Sequence, residues 1–182
     1  MTFRKARLQD VDAIMMLVQR RIEWMDTKGL HQWNETDYFG RYPRSYWERN
    51  IGYFLVGEAD GRVVVAIALY TEDVRWTRDG EYTGAASGAA YYLHHLVTDP
   101  AAKCAGREMM LYVEHYARQH GIGLLRLDSA VGNLALDSYY TALGYTPCGL
   151  CHDRLYHGIL REKSITTPTP HCAGSLQEKD FE

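Results

Sequence analysis

The fold is decided by Tyr91-Tyr92-Leu93-His94-His95-Leu96-Val97-Thr98-Asp99-Pro100-Ala101-Ala102-Lys103-Cys104-Ala105-Gly106-Arg107 and its continuation to Tyr145. The apolar run from Tyr91 to Val97 reads as a strand, closed by Asp99-Pro100. A short loop, Ala101 to Gly106, leads into a helical pattern from Arg107 to His120. Its residues Met109, Met110, Val113, Tyr116 and Ala117 recur at spacings of three and four, so they share one face. Gly121 is a natural stop for that helix. Leu124-Leu125-Arg126-Leu127-Asp128 reads as a second strand. Asn133 is a good N-cap for a second helix carrying Leu136, Tyr139, Tyr140 and Leu143, and Gly144 ends it. The order is strand, candidate phosphate loop, helix, strand, helix.

On the N-terminal side, Thr2 to Ala6 forms a first strand. A helix from Asp10 to about Asp26 carries Val11, Ile14, Met15, Leu17, Val18 and Ile22 at helical spacing. The next segment is dense in aromatics: Trp33, Tyr38, Phe39, Tyr42, Tyr46 and Trp47. Such rings supply large buried area, so this segment is a packing lid, a wall of a pocket, or both. Tyr53 to Ala59 and Arg62 to Leu69 read as two strands joined by Asp60-Gly61, a strong tight-hairpin signal. The second is almost continuously apolar, as an interior strand should be. Residues 71 to 90, polar and then rich in Gly, Ala and Ser, hold the end of a strand and a loop beside the site. Beyond Tyr145, the chain to about Leu150 and from Arg154 to Leu160 gives a closing strand pair. The domain is expected over residues 1–163. Residues 164–182, with Pro168, Pro170, small polar residues and charges, are expected to form a poorly ordered tail.

The 182 residues suit one domain with a core that needs no staples. A hydrophobic share of 46% and a charged share of 24% are those of a soluble globular protein. A net charge of −3 and a pI near 6.2 argue against a nucleic-acid partner, which requires clustered Lys and Arg. No apolar run approaches a membrane span, and the N-terminus lacks a signal-peptide core, so a cytoplasmic location is expected. Cys148-Gly149-Leu150-Cys151-His152 spells both a haem-attachment pattern and a redox Cys-x-x-Cys. Haem attachment needs export, and a redox pair opens a helix, whereas this pair follows the helix-ending Gly144-Tyr145. A zinc site would need His152 and His157 as further ligands. Two ordinary thiols are the expectation, with no metal site.

The stretch from Leu96 to Tyr145 resembles the GNAT superfamily of acetyl-CoA-dependent N-acetyltransferases. Leu96-Val97 with the following loop is similar to the family's central strand and acyl-CoA loop. Gly106-Arg107-Glu108-Met109-Met110 is similar to its Gly-Arg-x-Leu-Leu helix start, and Ala117 to Gly121 to its helix end. Asn133, Tyr140 and Gly144-Tyr145 resemble its Asn…Tyr-x-x-x-Gly-aromatic motif. The loop departs from the family pattern of Arg or Gln followed by x-x-Gly-x-Gly or Ala. Setting Gly106 at the last glycine places Ala101 at the basic position and Cys104 at the first glycine. Setting Lys103 at the basic position places Gly106 at the first glycine and Glu108 at the last. Helix register favours the former, with a loop two residues short. Both leave it poor in the glycine that lets backbone approach phosphate.

The resemblance implies an α/β (α+β) fold: a mixed, mostly antiparallel sheet of six to seven strands flanked by about four helices. It implies acetyl-CoA as cosubstrate and a small-molecule amine as acceptor; the oligomeric state, monomer or homodimer, is left open by the sequence. Leu96 and Val97 would pair with the pantetheine arm and offer an N–H. Lys103, Cys104, Ala105, Gly106 and Arg107 would hold the pyrophosphate on unpaired N–H groups and the helix dipole. Asn133 would bond the cofactor's amides. Trp33, Tyr38 and Asp128 would border the acceptor. Tyr140 is the expected acid, because a phenol near pKa ~10 stays protonated at neutral pH. His94 is the candidate base, with His95 on the opposite strand face and Glu58, Glu72, Asp73 and Asp128 as rivals. The alternative is a non-catalytic module of the same fold that holds CoA or another small ligand.

Overall fold

The computed structural model describes residues 1–30, 32–77, 80–82, 86–153 and 156–165. In chain order these form β1 (Thr2–Lys5), α1 (Val11–Thr27), α2 (Tyr38–Arg41), α3 (Arg44–Asn50), β2 (Phe54–Ala59), β3 (Arg62–Tyr70), α4 (Val74–Thr77), β4 (Gly80–Tyr82), β5 (Ala90–Thr98), α5 (Ala105–Gln119), β6 (Leu124–Ala130), α6 (Leu134–Ala142), β7 (Thr146–Asp153) and β8 (Tyr156–Ser164). One sheet contains all the strands, in the order β1-β2-β3-β5-β6-β8-β7-β4. Seven strands have four residues or more, and the three-residue β4 trims the far edge. Every neighbouring pair is antiparallel except β5 and β6. Four helices exceed one turn, and α2 and α4 are single turns.

Both faces of the sheet are covered, because successive side chains of its strands alternate between them. Val65, Ile67 and Leu69 of β3 point to α5 and α6, where Met109, Met110, Val113 and Ala117 pack. Ala66 and Ala68 point to α1, where Val11, Ile14, Leu17 and Val18 are fully buried at helical spacing, beneath Trp47. Each large apolar side chain so buried contributes about 1.5–3 kcal/mol. The Asp60-Gly61 hairpin forms as expected: both residues have positive φ, +51° and +70°. The two positive values are those of a type I′ turn, the turn that matches strand twist.

The region between β3 and β5 is more structured than a loop. It carries α4 and crosses to the far edge of the sheet as β4; residues 78–79 and 83–85 lie outside the described residues. Ser164 closes β8, and Ile165 is buried with its N–H bonded to the Gly123 carbonyl. Of the tail expected over 164–182, residues 166–182 lie outside the described residues.

Candidate active site

The parallel pairing of β5 with β6 lasts three rungs, Ala90↔Leu124, Tyr91↔Leu125 and Tyr92↔Arg126. Beyond Tyr92, β5 runs on along β3 to Thr98, and beyond Arg126, β6 runs on along β8 to Ala130. Each strand keeps its outer partner and loses the inner one. Main-chain groups of Leu93 to Thr98 that point toward β6 therefore meet no strand among the described residues. In the same span β5 carries a bulge. His94 faces Ala68 and Val97 faces Ala66, so Ile67 opposes both His95 and Leu96. His95 has φ +53°, a conformation that costs a non-glycine residue of order 1–3 kcal/mol. A bulge bends its strand and adds twist, which carries β5 away from β6.

The bulge corrects the expectation that His94 and His95 lie on opposite faces. One inserted residue breaks the period of two, so both imidazoles sit on the α1 side, with ring centroids 6.3 Å apart. Their environments differ. His95 is partly buried and ringed by Tyr42, Tyr46, Trp47 and Phe54, with Tyr38 Oη 2.8 Å from Nδ1 and Tyr46 Oη 2.9 Å from Nε2. Burial pushes its pKa down to about 3, helped by the nearby charges of His94 and Arg75. His94 is part-exposed, and its Nε2 lies 2.8 Å from Asp73 Oδ2. An ionised carboxylate only accepts, so Nε2 carries the hydrogen, and it is the neutral form of the ring that has its lone pair at Nδ1. Burial alone would raise the Asp73 carboxyl. The hydrogen bond from His94, its charge and the Arg75 amide and guanidinium outweigh that, and Asp73 stays below its ordinary value.

Across the opening, Asp128 lies just past the last rung on β6, as His94 does on β5. Ligand atoms of Asp73, His94 and Asp128 all lie within 4.8 Å of one another. Asp128 takes a bond from Arg75 Nη1 at 3.1 Å and another from the Tyr156 hydroxyl. The Arg75 guanidinium supplies these carboxylates with the positive charge that a cation would bring. The segment holding Asp73 and Arg75 thus ties to both sides of the opening, with Arg75 N–H donating to Asp73 at 2.9 Å.

On the other face, Tyr140 belongs to the same core cluster as Leu93 and Leu127, the residues flanking the opening there. Burial raises its phenol, with Tyr139 and Asp128 adding to the shift and Arg161 opposing it. Tyr139 lies beside it at 5.2 Å between centroids. The Tyr139 hydroxyl is buried without a hydrogen-bond partner among the described residues. A Cβ on Gly106 would come within 3.1 Å of that hydroxyl and 3.3 Å of the Thr98 methyl, so α5 packs closely on both there. Asn133 caps α6 by accepting from Leu136 N–H at 3.1 Å, which leaves its amide nitrogen to donate.

The loop before α5 turns tightly: Ala102 N–H reaches Asp99 and Ala105 N–H reaches Ala102. Cys104 precedes the helix with φ +65°, the place a glycine would hold in a glycine-rich loop. The amides of Gly106 and Arg107 find no carbonyl among the described residues, as the first turn of a helix dictates. Lys103 and Arg107 are exposed beside them, and so is Glu108, whose charge opposes an anion. Leu96 packs on the α5 side while Val97 is buried on the α1 side.

The structure brings His94 and Asp128 together and places Tyr38 on the neighbouring His95. Trp33 leans on Tyr38 at 5.1 Å, and the Tyr38 hydroxyl is taken by His95. Asp73 was one of several rival carboxylates in the sequence; Glu58 is instead paired with Arg4 at the sheet edge, and Glu72 is exposed. Sequence reasoning named Tyr46 only as part of the aromatic segment and missed Tyr70, Arg75 and Tyr156; the four arrive from separate elements, and no local pattern marks their partners. The free thiols Cys148 and Cys151 lie on β7, both pushed up to about 11 by burial, which suppresses the reactive thiolate. His152 pairs with His157 across the hairpin at 2.6 Å. Strand alternation turns His152 away from its neighbour Cys151, so the four do not form a zinc set. A concavity of about 450 Å³ lies between α1, α2 and α3, apart from the opening.

No curated protein matches the chain. Among solved structures, a GNAT family acetyltransferase from Streptococcus agalactiae superposes with a TM-score of 0.72 at 20% identity, covering 90% of this chain and 94% of that one. PaiA N-acetyltransferase from Thermoplasma acidophilum, solved with coenzyme A, gives 0.64 at 19% identity over 89% and 97%. YncA from Salmonella typhimurium, solved with its cofactor acetyl-CoA, gives 0.59 at 18% over 94% and 98%. These likenesses show the fold. The sequence matches the acetyltransferase (GNAT) family over residues 17–145, well over half its length, and the chain belongs to that family.

Proposed function

We propose that this protein moves an acetyl group from acetyl-CoA to the primary amine of a small molecule, by direct attack with both substrates bound. The observation that carries the reading is the open edge of β5, with His94 and Asp128 on one face and Tyr140 on the other. Bound there, acetyl-CoA supplies an activated thioester and a thiol leaving group. The residues present suit such a molecule: the free amides of Gly106 and Arg107 and the side chain of Lys103 fit its phosphates, the unpaired main chain at Leu96 and Val97 fits an amide-bearing arm, and Asn133 can donate to it.

His94 is the base. Asp73 holds its Nε2–H, so Nδ1 offers its lone pair to the acceptor ammonium and takes the proton. Asp128, fixed by Arg75 and Tyr156, borders the acceptor side with Trp33. Tyr38 acts through His95 rather than by touching the acceptor. On the far face, burial keeps Tyr140 protonated, so its Oη holds a proton for the departing sulfur. Thiol release from acetyl-CoA, followed across polyamines, amino acids, aminoglycosides and peptides, tests this. Turnover with one amine class is expected. Tight CoA binding by calorimetry with no turnover on any amine would instead favour a ligand-holding module, the reading that the loop's single glycine motivates.

A further inference from the structure

Glycine would adopt φ +53° without strain, yet a histidine occupies the β5 bulge. Its ring is held at both nitrogens, by Tyr38 of α2 and Tyr46 of α3. Tyr46 Oη also lies 3.0 Å from Tyr70 Oη on β3. The bulge is therefore fastened both to the aromatic segment above it and to the neighbouring strand. Beyond the fastened residue come Leu96 and Val97, whose main chain forms the open edge.

We infer that His95 is a positioning residue: clamped between Tyr38 and Tyr46, it holds the bulge in register and so fixes how the peptide units of Leu96 and Val97 are presented to an acyl-CoA. The inference deepens the acetyl-transfer reading and rests on it for the ligand, while its geometry stands alone. A bulge is one extra residue, and nothing in the apolar neighbours Ala66, Ile67 and Ala68 forbids β5 from sliding to absorb it. A slip of one residue turns every later side chain to the other face. Leu96, now packed toward α5, and Val97, now buried toward α1, would exchange sides. The clamp works with a neutral ring, which burial secures at about pKa 3. One nitrogen then accepts from one tyrosine and the other donates to the second, so both hydroxyls are needed.

Three variants separate the clamp from packing. His95→Gly keeps the permitted φ and removes the ring. Tyr38→Phe with Tyr46→Phe keeps the rings and removes both hydroxyls. His95→Asn retains a residue tolerant of positive φ with an amide that can bond one tyrosine. Register is read by NMR from the Ala66–Val97 contact, with the Leu55–Ile67 contact of β2 and β3 as internal reference. CoA is titrated by calorimetry. His95→Gly and the double phenylalanine variant are expected to lose the Ala66–Val97 contact, keep Leu55–Ile67, and bind CoA about ten-fold more weakly through lost preorganisation, with His95→Asn recovering part of it. Retention of both the Ala66–Val97 contact and full CoA affinity in His95→Gly and the double variant overturns the inference. Should the unaltered protein bind no CoA, the acyl-CoA reading fails, and the register contact alone then decides for or against the clamp.

Discussion

Strand β5 is paired on both sides over unequal lengths: with β3 from Tyr92 to Thr98, with β6 only from Ala90 to Tyr92. Along the closed edge the β3 side chains are apolar and buried, Val65, Ala66, Ile67 and Ala68 all at 0% exposure. Beside the open edge lie His94 and Asp128, both polar and both tied to the α4 segment. Backbone pairing and apolar packing go together, and chemistry is available where pairing stops. One edge should answer to stability measurements and the other to rate measurements.

The sharpest way to break that contrast is His94→Asn. As a lost general base it should cut kcat by about 10²–10⁴-fold with a smaller effect on thermal unfolding, because an asparagine amide can still donate to Asp73. Ile67→Ala tests the closed edge. Its buried side chain should cost about 2–5 kcal/mol in urea unfolding and lower the rate per folded molecule far less than His94→Asn does. If the two variants exchanged effects, the distinction between edges would be gone.

Tyr140→Phe is a milder probe, because water can replace an acid for a thiol leaving group: a loss of about a hundred-fold in kcat is expected, and unchanged activity removes Tyr140 from the mechanism. Titration then sharpens the contrast between the two histidines. His95 has its folded pKa depressed to about 3 from an ordinary 6.5. The unfolded chain therefore binds the extra proton first. Its contribution to stability is full above pH 6.5 and is lost as pH falls toward 3, at up to about 1.4 kcal/mol per unit. Urea midpoints at pH 7, 6 and 5 should fall more steeply in the parent than in His95→Asn. Smallest is Asn133→Ala, about 1 kcal/mol from the lost cap. A parallel drop in CoA affinity would assign its amide to the ligand as well.

Much of this was legible in the chain. The 3.6-residue periodicity of Met109, Met110, Val113 and Ala117 and the glycine stop at 121 identified α5, and the near-continuous run from Val63 to Leu69 identified an interior strand, because burial imposes those patterns directly. Tyr140 stood out through the resemblance, and His94 through the intrinsic pKa of an imidazole. The side of His95 did not, since alternation assumes regular pairing and one bulged residue reverses it. Nor did β4, which at three residues is too short for a period of two to show. The partners of the site residues were invisible for another reason. Tyr46, Tyr70, Arg75 and Tyr156 meet only through tertiary contact, from α3, β3, α4 and β8.

The short segment that leaves β3 touches His94 through Asp73 and Asp128 through Arg75. It acts as a staple across the spine of a half-opened book. The two leaves of the sheet are joined at the bottom by three rungs and at the mouth by two charged side chains, so the width of the gap is set from above as well as from below. Anything that wedges the leaves further apart has to undo one stitch or the other.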